Sequence, residues 1–191
     1  MSEQHTEVIE LAPGVNWIQV LAPIGPSKAQ VEDFNSAAIS NAEDRELLFA
    51  ARAKSDAIVT TKKTALAENY RASRFAPIFV IDRTGLAPKF EPVPADEVRQ
   101  GIHLITSIED VPGQLRVAEP RILLESGRSY AAAIAKAGLL KRLILVVPTL
   151  DAQIGTDTLD STLKALRLES FAVRTVFRGS QNILFVLDAA P

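Results

Sequence analysis

Apolar residues in this chain fall into short runs bounded by proline, glycine or charged residues, and stretches of helical period separate the runs. The first run, residues 17–21, begins at Trp17 and closes at Ala22-Pro23, after which Pro23, Gly25 and Pro26 interrupt regular structure. A helix is predicted after Asn41. Asn41 is a good N-cap, and Asp44 stands at the capping-box position in place of the preferred Glu or Gln. Leu47, Leu48, Ala50 and Ala51 supply the buried stripe of that helix. Residues 56–59, 77–81 and 102–106 read as the second, third and fourth strands, and the proline-rich stretch 85–97 reads as a surface loop. The next segment says the most. Residues 121–124 form a buried strand that stops at Glu125, and Ser126-Gly127-Arg128-Ser129 makes a small-residue corner. An alanine-rich helix then runs to Gly138, and residues 143–147 form a strand ended by Pro148. A helix over 158–168 follows. Two last runs, 171–177 and 182–187, flank Arg178-Gly179-Ser180-Gln181 and predict an antiparallel hairpin.

Strands joined by helical crossovers predict a three-layer α/β fold: a mostly parallel central sheet, helices on both faces and an antiparallel C-terminal hairpin. No internal repeat, low-complexity segment or linker divides the chain, so one domain is expected over 1–191, with 1–14 as a flexible N-terminal tail.

Composition narrows the chemistry. Hydrophobic residues make up 47% of the chain, which argues against disorder. A net charge of −2 gives no electrostatic reason to expect nucleic acid or an anionic membrane as partner. There is no cysteine, which removes disulfides, thiolate metal sites and cysteine nucleophiles. No apolar run reaches membrane-spanning length, and the opening MSEQHTEVIE lacks the basic and apolar blocks of a secretory signal, so a cytoplasmic protein is expected. His5 belongs to the tail, and His103, inside a strand-like run, is read as structural. Ser126 and Ser129 have no sequence-evident His–acid partners, which argues against a serine hydrolase. Trp17 is read as a core or edge anchor. The corner at Ser126–Ser129 carries the candidate chemistry. A glycine-containing corner at a helix start leaves backbone N–H groups free and suits an anion such as a nucleotide phosphate. A plain strand-to-helix corner that binds nothing is the other reading of the same residues.

The order of these segments resembles the reductase domain of riboflavin biosynthesis, a pyrimidine-reductase family with the dihydrofolate-reductase-like fold. The resemblance spans roughly residues 16–187. It rests first on Arg52-Ala53, Asp56-Ala57-Ile58-Val59, Thr64 and Glu68-Asn69-Tyr70. It continues in PIFVIDRT, residues 77–84, and in Leu124-Glu125-Ser126-Gly127 through Gly138-Leu139 to Pro148. Order and spacing carry more than any one motif, and they speak more to fold than to activity.

The resemblance implies an NADPH-dependent reductase that passes hydride to the ribosyl carbon of a pyrimidine ribosylamine phosphate, giving a ribitylamine. It also implies a homodimer, a small-molecule substrate and no metal. Such chemistry belongs mainly to the cofactor, and the protein supplies placement; no catalytic residue is singled out. Carried over by position, Thr61 and Thr64 would lie near the nicotinamide and diphosphate. Arg83 and Thr84 would take the adenosine 2′-phosphate, for which a guanidinium fork is suited. Thr106 and Ser107 would edge the adenine, and Ser126, Gly127, Arg128 and Ser129 would receive the diphosphate. Ala22, Ser36, Glu68 and Asn69 fall on the substrate side.

Three departures stand against the family pattern. The family closes its first strand with Ser-hydrophobic-Asp-Gly; here Ala22-Pro23-Ile24-Gly25-Pro26-Ser27 offers no carboxylate, and Glu32 and Asp33 would need a shifted loop. The glycine after the second strand is Thr61, followed by Lys62-Lys63, and the double glycine of the later corner is Ser126-Gly127. Bland readings stay open beside the functional ones: Arg83 and Lys62-Lys63 as solvated charges, and Glu68-Asn69-Tyr70 as a turn with the Tyr70 ring packed on the sheet edge. Two functions therefore stand, an NADPH-dependent reductase of the riboflavin-biosynthesis type acting on the family's substrate or an altered one, and a catalytically degenerate relative that binds a nucleotide or a protein partner.

Overall fold

The computed structural model describes residues 9–24, 41–84 and 101–190. Strand β1 is Gly14–Val20. Helix α1, Ala42–Lys54, starts at a complete capping box: the Asn41 side chain accepts from the Asp44 N–H at 3.0 Å, and the Asp44 carboxylate accepts from the Asn41 N–H at 2.9 Å. Aspartate thus serves where glutamate is usual. Strand β2, Ala57–Thr61, runs directly into the short helix α2, Lys62–Ala67. Strands β3, Ile78–Ile81, and β4, Ile102–Ile105, come next. A single 3₁₀ turn at Ile108–Asp110 then leads into α3, Val111–Leu115. Strand β5 is Arg121–Glu125, helix α4 is Arg128–Lys136, and β6 is Leu140–Val147. Helix α5, Ala152–Leu166, and strands β7, Phe171–Arg178, and β8, Ile183–Ala189, complete the described chain.

The eight strands form one sheet in the order β4-β3-β2-β5-β1-β6-β8-β7. Every neighbouring pair from β4 to β6 is parallel, and β8 is antiparallel to both β6 and β7. The expected mostly parallel sheet with an antiparallel C-terminal hairpin is what the chain builds. Alternate residues face opposite layers, as the strand period requires. On one face Trp17, Val59, Phe79, Leu124, Leu143 and Phe185 pack with Ala131 and Ile134 of α4 and Leu159 and Leu163 of α5. On the other face Ile18, Leu123, Ile144 and Val186 pack with Leu47 and Ala51 of α1, and Ile58, Ile78 and Val80 pack with Ala65 of α2. Among the described residues no helix is long and apolar enough to cross a membrane.

Several boundaries differ from expectation for local reasons. Helix α5 begins six residues before Thr158 because Asp151 caps it, accepting from the N–H groups of Gln153 and Ile154. Gly155 inside it is a packing choice: a Cβ there would lie 2.8 Å from Ile183 Cδ1 on the sheet. Strand β6 starts at Leu140, ahead of Leu143, because Arg142 is carried inside it, 4% exposed and paired with Asp188 of β8 at 2.6 Å. Ile9 and Leu11, within the stretch expected as a tail, are buried against the α1 face, so ordered packing precedes β1. Gly138 takes φ +73 two residues after α4, as a helix terminator should. The loop expected over 85–97 lies outside the described residues.

The C-terminal hairpin is fastened to the start of α1. The buried Glu43 carboxylate accepts from the N–H groups of Ser180 and Gln181, each at 2.9 Å, and the side-chain amides of Asn41 and Asn182 hydrogen-bond to one another. This docking requires Gly179, where an added Cβ would come within 2.2 Å of Glu43 Oε1. Moving the carboxylate aside would break both amide bonds. Gly179→Ala is expected to lower stability by about 1–3 kcal/mol in urea unfolding, the range of overpacking. Gly113→Ala, at a position with nothing within 4 Å of the new Cβ, should leave stability unchanged or slightly raised.

Candidate functional site

Strand β2 passes to β3 through α2 on one face of the sheet, and the adjacent β5 passes to β6 through α4 on the other. Connections that part in this way open a crevice at the carboxyl ends of the two strands, the place where open α/β sheets bind ligands. Thr61 ends β2, Asp82-Arg83-Thr84 follows β3, Thr106-Ser107 follows β4, and Ser126–Ser129 joins β5 to α4. The sequence-predicted cofactor residues therefore stand at one edge of the sheet.

At the end of β5 sits a buried acid. Glu125 is 7% exposed, and Arg52 from the last turn of α1 grips it with both arms of the guanidinium fork, Nε to Oε1 at 2.7 Å and Nη2 to Oε2 at 2.6 Å. The Tyr70 hydroxyl donates to Glu125 Oε2, and the Arg52 guanidinium lies 5.6 Å from the Tyr70 ring centroid. Burial alone would lower the Arg52 pKa, but the hydrogen bond and charge of Glu125 outweigh it and raise the guanidinium above its ordinary value. Burial, reinforced by the Glu125 charge, pushes the Tyr70 hydroxyl well above its ordinary value. The main chain beyond Glu125 is held as well. Thr60 Oγ1 donates to the Glu125 carbonyl at 2.6 Å, and Trp17 Nε1 donates to the Ser126 carbonyl at 2.9 Å.

The corner that follows is open. Gly127 is the N-cap of α4 with φ −63, no side chain caps the helix, and a Cβ at Gly127 would meet nothing within 4 Å. The first turn can therefore present its N–H groups to a phosphate, with Ser129 exposed and Arg128 half-buried beside them. The hydroxyls along the rest of the edge are already engaged. Thr61 caps α2 by accepting from the Thr64 N–H at 3.3 Å, and the two threonine hydroxyls lie 3.0 Å apart. Thr84 Oγ1 donates to Asp82 at 2.6 Å and accepts from Lys62 Nζ at 2.8 Å. Lys62 also pairs with Asp82 at 3.0 Å; the Thr84 hydrogen bonds, more than that lysine, hold the Asp82 carboxyl below its ordinary range. Thr106 and Ser107 are tied to Asp110 and Glu109. Arg83 is exposed, and its charge reaches Tyr130 on α4.

On the expected substrate side, Ala22 is half-buried just past β1, and Glu68 and Asn69 are exposed at the end of α2, with Asn69 in the left-handed region at φ 48. Ser36, Glu32 and Asp33 lie outside the described residues. Sequence reading gave no site role to Arg52, Tyr70 and Glu125, although all three belong to the quoted motifs. The available signal was a lone acid closing a strand of buried aliphatics, which demands a partner.

No protein-family model and no curated protein matches the chain by sequence. By structure it is similar to a pyrimidine reductase-like protein from Corynebacterium diphtheriae, with TM-score 0.60 and 15% identity, covering 94% of this chain and 92% of that one. The chain has the dihydrofolate-reductase-like fold. It is likewise similar to the diaminohydroxyphosphoribosylaminopyrimidine deaminase/5-amino-6-(5-phosphoribosylamino)uracil reductase of Thermotoga maritima, with TM-score 0.61 and 16% identity. That match covers 93% of this chain and 57% of the other, so the chain spans little more than half the length of that protein. A dihydrofolate reductase from Enterococcus faecalis, complexed with NADP(H), has TM-score 0.53 and 10% identity, covering 92% and 95%. Identities this low establish the fold alone.

Within this dihydrofolate-reductase-like fold the Glu125 cluster should be costly to break one partner at a time. Arg52→Met leaves a buried carboxylate without its cation and is expected to cost about 3–5 kcal/mol in denaturant unfolding. Tyr70→Phe removes one hydrogen bond to a charged group and should cost about 1.5–3 kcal/mol. Because the Tyr70 pKa is raised on folding, its contribution is complete below the ordinary tyrosine value of about 10 and declines as the pH rises beyond it. The stability difference between wild type and Tyr70→Phe, followed by urea midpoint against pH, should accordingly shrink above about pH 10.

Proposed function

We propose that the chain is an NADPH-dependent reductase of the riboflavin-biosynthesis type, with a substrate side that has diverged from the pyrimidine ribosylamine phosphate pattern. The observation that carries this reading is the corner after β5. An uncapped helix start with open space at Gly127 faces the switch-point crevice, in a fold shared with a reductase complexed with NADP(H). When bound, NADPH supplies the hydride, and the chain supplies placement. The N–H groups of the first turn of α4 receive the diphosphate. Arg83, exposed past β3, takes the 2′-phosphate through its guanidinium fork. Lys62, neutralised by Asp82, orders the loop after β3 more than it pairs with the ligand. Thr61, Thr64, Thr84, Thr106 and Ser107 line the cleft with hydroxyls that are bonded internally, so they shape it and contribute little binding of their own. Ala22, Glu68 and Asn69 border the small-molecule substrate. The reading extends to a homodimer, which sedimentation showing monomer alone at micromolar concentration would remove.

A specific observation favours a second reading, a dinucleotide-binding protein without turnover. The described part of the loop after β1, Leu21-Ala22-Pro23-Ile24, holds no carboxylate, and its Ile24 N–H is tied to Thr158 Oγ1 of α5 at 3.0 Å. A group missing beside the reacting carbon costs turnover more than cofactor affinity.

Titration with NADPH, followed by quenching of Trp17, the only tryptophan, separates these readings from a fold that binds nothing. Binding with NADPH oxidation by the phosphoribosylaminopyrimidine or another imine or carbonyl substrate supports the reductase. Binding without turnover on any of them supports the second reading, and no binding overturns both. Arg83→Ala should weaken NADPH about tenfold or more while leaving NADH nearly unchanged, since only NADPH carries the extra phosphate. Gly127→Asp should abolish dinucleotide binding by placing a carboxylate where the diphosphate sits. It should leave stability equal or slightly higher, because Asp is a favoured N-cap and φ −63 suits any residue.

A further inference from the structure

We propose that Trp17 and Thr60 are positioning residues for the corner between β5 and α4, fixing its two peptide planes, and with them the direction of the Gly127 N–H, without touching the ligand. The proposal rests on the reading above that a dinucleotide diphosphate occupies that corner. Both side chains are fully buried, and they come from the strands on either side of β5. Trp17 lies in register with Leu124 and Thr60 with Glu125, where the strand ladders end. Just past that point, Thr60 Oγ1 holds the Glu125 carbonyl and Trp17 Nε1 holds the Ser126 carbonyl. Two side chains thus continue the ladder after the backbone has left it.

The geometry of the peptide unit gives this a consequence. A trans peptide is planar, with its C=O and N–H on opposite edges. The Ser126 carbonyl and the Gly127 N–H belong to the same plane. Fixing the carbonyl toward Trp17 therefore turns the Gly127 N–H to the opposite edge, away from Trp17. Packing alone does not call for these residue types. Trp17 stands among Leu143, Leu145 and Phe185, where a phenyl ring would avoid burying an N–H. Thr60 continues the parity of Ile58 on the opposite face, where valine would match its shape. Gly127 supplies no rigidity of its own, since its φ is ordinary and no neighbour confines it. The two buried donors supply it.

The test compares wild type with Trp17→Phe, Thr60→Val and Thr60→Ser, using inorganic pyrophosphate and NADPH as probes. In ¹⁵N-labelled wild type, pyrophosphate should shift the Gly127 amide resonance. Trp17→Phe and Thr60→Val should each weaken both probes by about tenfold, the worth of roughly one hydrogen bond, while Thr60→Ser, which keeps the hydroxyl, should bind as wild type. The amide spectrum away from the corner should be unchanged, which a general loss of packing would not allow. Wild-type affinity and an unshifted Gly127 amide in folded Trp17→Phe and Thr60→Val would overturn the positioning role and leave the proposed site standing. Should Trp17→Phe fail to fold, the Thr60→Val and Thr60→Ser pair decides on the same criteria. If wild type binds neither probe, the dinucleotide reading falls and this inference falls with it.

Discussion

A carboxylate withdrawn from water at the end of a central strand has to be paired, and the pairing of Glu125 organises the region around it. Taking the acid and Arg52 out of water costs several kcal/mol per ion, a cost recovered only when the geometry is good and the remaining lone pairs are occupied. The two-armed grip of Arg52 and the Tyr70 hydroxyl meet both conditions. Arg52 comes from α1, Tyr70 from the chain after α2, and Glu125 from β5, so one ion joins segments far apart in sequence. Hydrophobic contact alone would allow α1 to slide on the sheet, whereas a bidentate pair accepts one position. The ion pair therefore sets where α1 sits more than it adds to stability.

That constraint bears directly on the crevice beside it. Glu125 is the last residue of β5, and the open corner begins one residue later. Its side chain is held from α1 and the Tyr70 segment, its carbonyl by Thr60, and the next carbonyl by Trp17. The acceptors of the corner are thus turned inward and occupied, which leaves donors for the helix start. Elsewhere along the carboxyl edge the balance is reversed: hydroxyls pair with Asp82, Glu109 and Asp110, and the edge is ordered by internal hydrogen bonds. Among the described residues of this edge, the proposed anion site draws its donors from the start of α4 and from the exposed Arg83. This division accords with a proposed site that has kept its phosphate-binding half and changed its substrate half.

Much of the fold was legible because strand period and helix stop signals are local. The buried runs at 56–59, 77–81 and 121–124, the terminator at Gly138 and the turn at Arg178–Gln181 each declare themselves within a few residues. The helix predicted over 158–168 starts six residues earlier, at Ala152, where Asp151 caps it and Gly155 leaves room for Ile183 of the sheet. Likewise, Arg142 looks like the edge of a strand until Asp188 is seen across from it. In each case a local penalty is offset by a partner distant in the chain.

By itself, the sequence determined the alternation of strands and helices, the three-layer class and the closing hairpin. All of these follow from residue type and spacing within short windows. Tertiary structure alone decided which of the candidate cofactor residues, carried over from the family resemblance, already have hydrogen-bond partners. Thr84 and Ser107 read as ligand hydroxyls in sequence, yet Asp82 and Glu109 claim them once the strands align. Arg52, Tyr70 and Glu125 read as scattered motif residues, yet the strand order and the docking of α1 bring them to one point. Trp17 and Thr60 read as a core anchor and an ordinary strand residue, and only the side-by-side placement of β1, β5 and β2 aims their donors at one corner. The reason is physical: a hydrogen bond is a relation between two groups in space, and spacing along the chain names only one of them.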